Sequence, residues 1–526
     1  MSVLPANPDL DHLRREARDL LRAARAGDAG AAGRIAAVSD RPILASAQLA
    51  VARDYGFESW PALKVEVEAR TQDLATFAAQ FCRESVRGYR DKAVRMLAAR
   101  PELVSYSLAT QIVLGEGDPV RRALAADSSL VTRVDPDTGW TALNAVSASR
   151  WHMLDPARAD GLLAIARMLL DAGADPNGGA GPARPGRGWN PLRCAVAGAG
   201  AANPAIIGLL LDRGAEAGDD ELYLAGFAGD DHECLRLLLA ARPNIGEVAA
   251  MALAAPISQD DDEGVRLLLE AGADPNRFVD DNDRADPVLH DAVGAGCGPA
   301  LTELLAAHGA EIDAVGADGR TAYALAVSQG RSEVAEVLRR AGARADVSSA
   351  DALMSALLRA DRAAVEAQLA SDPGLLGGLT EQQRGAGLTR AAETGNVAAI
   401  GLMLDLGFPV ETRGGDDAAM ALHTAAYSGS ASVVQLLIER GADIEARDGN
   451  WDSTALVWAN IGSSDKPRGN PDPDWLAVVQ ALLDAGASTD GVELTEDDDH
   501  PPSPEVTDLL LRHGVPDSRP EEGAGP

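Results

Sequence analysis

Residues 421–445 read ALHTAAYSGSASVVQLLIERGADIE, and both ends of this segment recur along the chain. Its second half is an apolar run that ends in Gly-Ala-Asp. Close variants of that half are LLDAGADPN (169–177), LLLDRGAEA (209–217), LLLEAGADPN (267–276), LLAAHGAEID (304–313), LRRAGARAD (338–346), LDLGFPVE (404–411) and LLDAGASTD (482–490). Self-similarity of this kind predicts a repeat architecture, in which each unit buries its apolar face against its neighbours.

The first half of the segment, ALHTAA, recurs in the same way. Its variants are TALNAV (141–146), VLHDAV (288–293) and TAYALA (321–326). Aligning the copies places one residue of each at the start of a unit: Thr141, Asn190, Asp220, Ala249, Pro287, Thr321, Asp351, Ala386, Met420 and Thr454. Most separations between successive starting residues are about 33 residues, a period typical of stacked helix pairs.

Together these phrases resemble the ankyrin repeat, whose consensus runs G-x-T-P-L-H-x-A-A and then LL-x-x-G-A-D-x-N. The resemblance implies an all-α solenoid of helix pairs with short β-hairpin fingers, over residues 135–514 and ending in a C-terminal cap. Thr at the start of a unit would cap its first helix, and Gly would end the second helix in the left-handed conformation. The resemblance also implies that His290 and His423 form hydrogen bonds between repeats.

The chain before the array divides into two parts. Residues 71–134 have the pattern of degenerate helix-pair repeats, and residues 1–70 that of a small helical module. The pattern A-Q-x-x-x-A-R-x-Y-G-F-x-S-W-x-x-L-K at Ala47–Lys64 resembles a module that often precedes ankyrin repeats in bacterial proteins. We expect Tyr55, Phe57 and Trp60 to form its core, and we expect residues 515–526 to be a disordered tail.

Charge excludes one class of partner. The 526-residue chain has a formal net charge of −33, yet residues 1–70 are neutral, with ten Arg or Lys against ten Asp or Glu. The acidic excess therefore lies in residues 71–526. Because such a surface repels phosphate backbones, we expect no nucleic-acid partner.

Other features of composition bear on the compartment. The four cysteines are far apart in sequence, as is typical of buried thiols in a reducing compartment: Cys82, Cys194, Cys234 and Cys297. We find neither a signal-peptide core nor an apolar run near the ~18 residues of a membrane span. Almost all basic residues are Arg, which indicates a GC-rich bacterial genome. The sequence thus predicts a bacterial, cytoplasmic and monomeric protein without membrane contact.

Several motifs that resemble metal, nucleotide or catalytic sites are explained more simply by the repeat. DPDTG (135–139) is not followed by the glutamate of an EF-hand, and GGAGPARPGRG (178–188) has no P-loop Lys and is better explained as a long hairpin. His290 is on the repeat's consensus position, which argues against a catalytic pair with Cys297. We therefore predict no catalytic residues, no metal and no cofactor, and expect that the protein is not an enzyme.

Four finger residues are the candidates for partner binding. Trp140 and Trp189 each come immediately before the first residue of a unit, Arg320 has the same register, and Trp451 also falls in a finger. In the ankyrin family the residue at this register points out of the finger and commonly touches partners, and Trp is enriched at binding hot spots. The alternative is that each Trp packs on a neighbouring finger. Eleven-residue insertions, at 148–160 and 463–474, predict loops on the binding face.

Function follows from these candidates. The leading hypothesis is a scaffold or regulator that binds an unknown protein on the concave and finger face of the array. The alternative is an acidic inhibitor or immunity-like protein that masks a basic enzyme surface. An enzymatic activity in residues 1–70 has poor support, because His12 is the only histidine there and no cysteine is present.

Overall fold

The protein is represented by a computed structural model that describes part of the chain. The described residues are 3–5, 7–38, 44–86, 90–136, 138–184, 187–197, 202–227, 232–242, 245, 250–276, 287–414, 418–465, 467, 469–489, 491–492, 503–513 and 515. They are mostly helical. The chain forms two compact units, which we name unit 1 (Met1–Asp283) and unit 2 (Arg284–Pro526).

Unit 1 contains α-helices, a 3-10 helix at Ser128–Val131 and one β-hairpin. The helices are α1 (Leu10–Arg25), α2 (Ala29–Ala36), α3 (Leu44–Asp54), α4 (Trp60–Thr71), α5 (Leu74–Val86), α6 (Arg90–Ala99), α7 (Leu103–Tyr106), α8 (Leu108–Val113), α9 (Gly117–Ala126), α10 (Ala142–Ala148), α11 (Trp151–Leu154), α12 (Pro156–Asp171), α13 (Pro191–Val196), α14 (Pro204–Asp212), α15 (Asp219–Ala225), α16 (Glu233–Ala241), α17 (Ala250–Ser258) and α18 (Asp262–Glu270). The hairpin strands are β1 (Ala180–Arg184) and β2 (Arg187–Trp189).

Unit 2 continues the same pattern of helices in pairs. Its helices are α19 (Val288–Gly294), α20 (Pro299–Ala307), α21 (Ala322–Ser328), α22 (Ser332–Arg340), α23 (Ser349–Leu358), α24 (Arg362–Ser371), α25 (Leu375–Gly378), α26 (Glu381–Glu393), α27 (Val397–Asp405), α28 (Ala421–Tyr427), α29 (Ala431–Glu439), α30 (Ala455–Asp465), α31 (Trp475–Asp484) and α32 (Pro504–Arg512). Its hairpin strands are β3 (Arg413–Gly414) and β4 (Ala419–Met420).

The chemistry at the ends of the helices follows the predicted repeat. The side chains of Thr141 and Thr321 each accept a hydrogen bond from the backbone N–H three residues on, at 3.2 Å in both cases. Most second helices end at glycines in the left-handed region, such as Gly342 (φ 100°) and Gly441 (φ 84°), whereas α16 and α24 end at Arg242 and Asp372. Small apolar side chains, such as Val434, are fully buried between the layers. The predicted all-α class of stacked helix pairs is confirmed.

The fingers are short antiparallel pairings, as predicted. β1 pairs with β2, so the Gly-rich segment 178–188 is a hairpin, and β3 pairs with β4. Isolated bridges join Val134 to Thr141 and Val315 to Thr321. Each bridge closes a finger immediately before a first helix, which fixes where the finger side chains begin.

At three of the described positions the predicted register is wrong. Asp220, Asp351 and Ala386 were expected at the start of a repeat, but α15 is capped by Gly218, α23 by Ser348 and α26 by Thr380. All three first helices therefore begin earlier than the consensus. The reason at α26 is a reciprocal capping box between Thr380 and Gln383, which satisfies two backbone N–H groups and stabilises the longer helix.

The N-terminal helices α1–α4 share one hydrophobic cluster. Leu13 and Leu63 are buried in it, and Tyr55, Phe57 and Trp60 are partly buried against it. The predicted aromatic contribution to this core is confirmed. The domain boundaries at residues 70, 134 and 514 stay predictions, and the proposed tail lies, apart from residue 515, outside the described residues.

The first insertion is not the free loop that its sequence suggested. It forms α11 and lengthens α12, and Trp151 is only 4% exposed. The Trp151 indole N–H donates to Ser85 Oγ at 3.0 Å, and its ring lies 6.1 Å from that of Phe81. The prediction is wrong because the apolar indole is buried against α5 instead of facing solvent.

Candidate functional site

Unit 2 contains a groove of about 1250 Å³ lined mainly by the first helices of successive pairs. These helices are α19, α21, α23, α26, α28 and α30. Residues of two described fingers also line it, namely Asp318 and Arg320 before α21 and Gly414 and Ala419 before α28, so finger and helix residues share one surface within unit 2. We refer to it as the groove.

Charged side chains line the groove, and acidic ones are in excess. The carboxylates are Asp291, Asp318, Asp351 and Glu393, and the guanidinium groups are Arg320 and Arg390. Asp318 and Glu393 keep about a third of their side-chain surface exposed, at 38% and 36%. A ligand in the groove would therefore meet more negative than positive charge.

Arg320, one of the predicted finger residues, joins two parts of this surface. Its Nη2 lies 2.9 Å from Oδ1 of Asp351, and its Nη1 lies 3.3 Å from Oδ2 of Asp318. Burial alone would lower the pKa of Arg320, but the hydrogen bonds and charges of the two aspartates outweigh it and raise that pKa. Arg320 therefore fastens its finger to α23, and its predicted contact with a partner stays a prediction.

One end of the groove is aromatic. The centroids of the Tyr427 and Trp458 rings lie 5.8 Å apart, edge to face, and the His423 ring packs against Trp458 at the same distance. The Trp458 indole N–H donates to Asp448 Oδ2 at 3.0 Å. The aromatic rings are thus fixed in orientation by packing and by one hydrogen bond.

Asp448 also organises the finger that carries Trp451. Its carboxylate accepts hydrogen bonds from the backbone N–H of Trp451 at 2.6 Å and of Ser453 at 2.9 Å. Burial would raise the pKa of Asp448, but these N–H donors and the Trp458 indole outweigh it, and the net pKa is lowered. Trp451 itself is 69% exposed, so a rigid loop presents a large apolar side chain to solvent.

The paired finger tryptophans of unit 1 have a different environment. Trp140 is 4% exposed and its ring lies 6.4 Å from that of Trp189. Arg193 lies over the Trp189 ring at 5.1 Å. The expectation that Trp140 points out of its finger is wrong, because it packs on the tryptophan of the neighbouring finger. Partner contact by Trp189, which is half-buried, stays a prediction.

The second insertion lies beside the aromatic end of the groove. Three hydrogen bonds tie it to the end of α28: Asn470 Nδ2 donates to the Ser428 carbonyl at 3.0 Å, the Asp474 N–H to the Gly429 carbonyl at 2.9 Å, and the Trp475 indole to the Tyr427 carbonyl at 2.8 Å. We name residues 469–475 the strap. Its predicted role in partner binding stays a prediction, but its position beside the groove is compatible with that role.

Sequence reasoning missed the inter-repeat bonds made at the consensus histidine position. Asn144 Nδ2 donates to the Trp189 carbonyl at 2.7 Å, and Arg193 pairs with Asp220 at 2.6 Å. Both residues come three positions after a helix cap, and this register is the signal that could have identified them. They link neighbouring repeats, as histidine does elsewhere.

The two consensus histidines behave differently. His423 Nε2 lies 3.0 Å from the Ala446 carbonyl and 3.2 Å from the Ser453 carbonyl, which confirms the predicted inter-repeat contact. His290 lines the groove and is 5% exposed, and neither of its ring nitrogens has a hydrogen-bond partner among the described residues. Its Nε2 lies 3.9 Å from Oδ1 of Asp318. The predicted inter-repeat hydrogen bond of His290 is therefore wrong for the described part of the chain.

Burial of His423 makes stability depend on pH. Burial lowers its pKa more than the two accepting carbonyls raise it. The unfolded chain, with a His pKa of about 6.5, therefore binds the proton more readily than the folded one. The stabilisation is complete above that value and is lost as the pH falls through the folded pKa.

We therefore expect the urea-unfolding midpoints of wild type and His423→Gln to converge as the pH falls from about 7.5 to about 5. Groups that titrate in both proteins shift both midpoints alike, so the difference between the midpoints reports the titration of His423. A difference between the two midpoints that stays constant over this range would contradict the assignment.

Two further properties concern the described residues only. None of the helices within them is both long and apolar enough to cross a membrane. No group of three or more His, Cys, Asp or Glu side chains there is placed to hold a metal ion.

Comparisons with known proteins point to one family. A family model for ankyrin repeats in three copies matches residues 251–351, and a single ankyrin repeat model matches residues 420–449. No curated protein sequence matches the chain.

Solved structures similar to the chain are ankyrin repeat domains. The domain of human ASB11 is 24% identical, with 45% of this chain and 98% of that chain covered and a TM-score of 0.22. A domain from Acinetobacter baumannii AYE is 23% identical, covering 37% and 99%, with a TM-score of 0.29. The domain of Bcl-3, a member of the IkappaB family, is 21% identical, covering 44% and 97%, with a TM-score of 0.20. At these values the likenesses carry no inference about partners.

Proposed function

Because this chain is an ankyrin repeat protein, we propose that it is a scaffold or regulator that binds a partner protein through the groove and fingers of unit 2. Ankyrin repeats generally mediate protein–protein interaction, and their fold is typically a non-catalytic scaffold. We propose further that the protein is bacterial, cytoplasmic and monomeric, which rests on the sequence alone.

The observation that carries this proposal is the environment of Trp451. An indole that is 69% exposed contributes little to folding, yet Asp448 holds its loop through several hydrogen bonds. Ordering a loop on binding costs free energy, so a loop already held in place binds with less loss. A rigid, exposed Trp is the type of residue that dominates interface energies.

In unit 1, Trp189 is the second candidate contact. It is half-buried, and Trp140 and Arg193 pack on its ring. In this proposal Trp140 supports Trp189 and does not itself touch the partner. Arg320 contributes in unit 2 by holding its finger against α23.

Trp451→Ala is expected to weaken binding of the native partner by about 2 kcal/mol, or roughly thirtyfold in Kd. The partner is first captured from native lysate with the wild-type protein and identified by mass spectrometry, and its affinity is then measured with purified components. Val397→Ala is the matched control, because Val397 is 37% exposed on α27 and does not line the groove.

Equal affinities of Trp451→Ala and Val397→Ala would show that Trp451 is not part of the binding surface. Thermal unfolding of both variants verifies that they fold. A melting temperature close to wild type is expected for each, because neither side chain is buried.

The charge of the chain favours a second candidate, an acidic inhibitor or immunity-like protein that covers a basic enzyme surface. A net charge of −33 would steer such an enzyme over long distances. Its association rate would then fall steeply with ionic strength. In a Trp451-centred interface, by contrast, Trp451→Ala should change mainly the dissociation rate.

A further inference from the structure

We propose that the groove of unit 2 takes an extended segment of the partner that carries Arg or Lys, with one basic side chain seated at the aromatic end formed by Tyr427 and Trp458. This inference rests on the proposed function and names the chemistry of the partner.

Charge selects a cationic occupant. Four carboxylates line the groove against two guanidinium groups, in a chain whose net charge is −33. Asp318 and Glu393 already pair with Arg320 and Arg390, but both remain partly exposed. A carboxylate has about four acceptor positions, so each can accept further N–H donors from a bound segment.

The aromatic end offers a seat for one cation. Ammonium and guanidinium groups bind over the faces of Trp and Tyr, most strongly where water is excluded. The Tyr427 hydroxyl donates to Asp465 at 3.0 Å, which places a carboxylate beside the same rings.

The polar lining favours an extended segment over a helix. An amphipathic helix needs a hydrophobic groove, whereas Gln329, Gln382 and Thr424 are among the lining residues. Amide and hydroxyl side chains can both donate and accept hydrogen bonds. They therefore suit the exposed backbone N–H and C=O groups of an extended chain.

His290 points to a ligand independently of charge. It is 5% exposed and lines the groove, yet neither ring nitrogen has a hydrogen-bond partner among the described residues. Its counterpart His423 contacts two carbonyls. Leaving a buried polar group without a hydrogen bond is costly, and an N–H donor from a bound segment would satisfy a neutral imidazole.

The test uses two fluorescein-labelled peptides, one alternating Arg and Gly and the other alternating Glu and Gly, with the full-length protein. Fluorescence anisotropy measures their affinities at low salt. The groove variant is Asp318→Asn with Glu393→Gln. The matched control is Glu333→Gln with Glu366→Gln, two exposed carboxylates on α22 and α24 that do not line the groove.

We expect the Arg peptide to bind and the Glu peptide not to bind. The groove variant should weaken binding by about tenfold, and the control, which has the same net charge, by less than about twofold. His290→Phe should weaken it by about threefold or more, since it removes the acceptor. Circular dichroism and melting temperature verify that each variant folds.

Equal losses in the groove variant and the control would show that only the overall charge attracts the peptide, and this would overturn the inference. Binding that neither double variant changes would overturn it too. If Trp451→Ala still weakens binding of the native partner in either case, the proposed function stands and only the partner chemistry is wrong. If Trp451→Ala binds the native partner as tightly as the control variant does, the proposed function itself is contradicted.

Discussion

Trp140→Ala is expected to destabilise unit 1 by about 3 kcal/mol, a typical value for removing a buried Trp side chain. Trp140 is 4% exposed and packs on Trp189, so its removal leaves a cavity between two fingers. Urea denaturation followed by circular dichroism should show a lower unfolding midpoint for the part of the transition that belongs to unit 1.

Trp451→Ala is the matched control, because it removes the same side chain from a finger where it is 69% exposed. Its stability should differ from wild type by less than about 0.5 kcal/mol. If the two substitutions proved equally mild, Trp140 would not be a packing residue, and its role as a partner contact would return.

Gly462→Ala should destabilise unit 2 by about 3 kcal/mol, the upper end of the usual range for overpacking. A Cβ at this position of α30 would lie 2.0 Å from the Tyr427 carbonyl oxygen, far closer than atoms can approach. The two helices would have to separate, and the aromatic end of the groove would widen. Both urea denaturation and peptide binding should detect this.

Gly401→Ala is the control for that experiment. Gly401 also lies within a helix of unit 2, but a Cβ there would meet no atom within 4 Å. Since Ala favours helix over Gly, this change should stabilise the protein by about 0.5–1 kcal/mol. A loss of stability at Gly401 similar to that at Gly462 would mean that helix contact is not the cause.

Much of the fold can be predicted from the sequence because its determinants are local. A Thr cap such as Thr321 starts a helix, and a glycine such as Gly342 ends one, through contacts within a few residues. The regular spacing of such caps and glycines therefore predicts the helix pairs. Local chemistry also explains the register error at α26, where Thr380 is a better cap than the aligned Ala386.

The candidate site was harder to predict, because exposure depends on which neighbour a side chain meets. Trp140 and Trp451 both belong to fingers, yet one packs on Trp189 while the other is held outward by Asp448. The contact that buries Trp140 comes from the next finger, so the sequence of its own finger does not reveal the burial. Similarly, the acidic excess of the groove combines residues from several repeats, and only the stacking of these repeats brings Asp318 and Glu393 to one surface.

The consensus histidine position has a consequence for how such an array can change. Asn144 donates to a carbonyl there, Arg193 pairs with a carboxylate, and His423 contacts two carbonyls. Every repeat has backbone carbonyls, so Asn144 and His423 could form these bonds with many neighbours. Arg193 instead needs a carboxylate such as Asp220 in the next repeat. Duplication of a repeat is therefore tolerated more easily where the linking side chain contacts backbone than next to the Arg193–Asp220 pair.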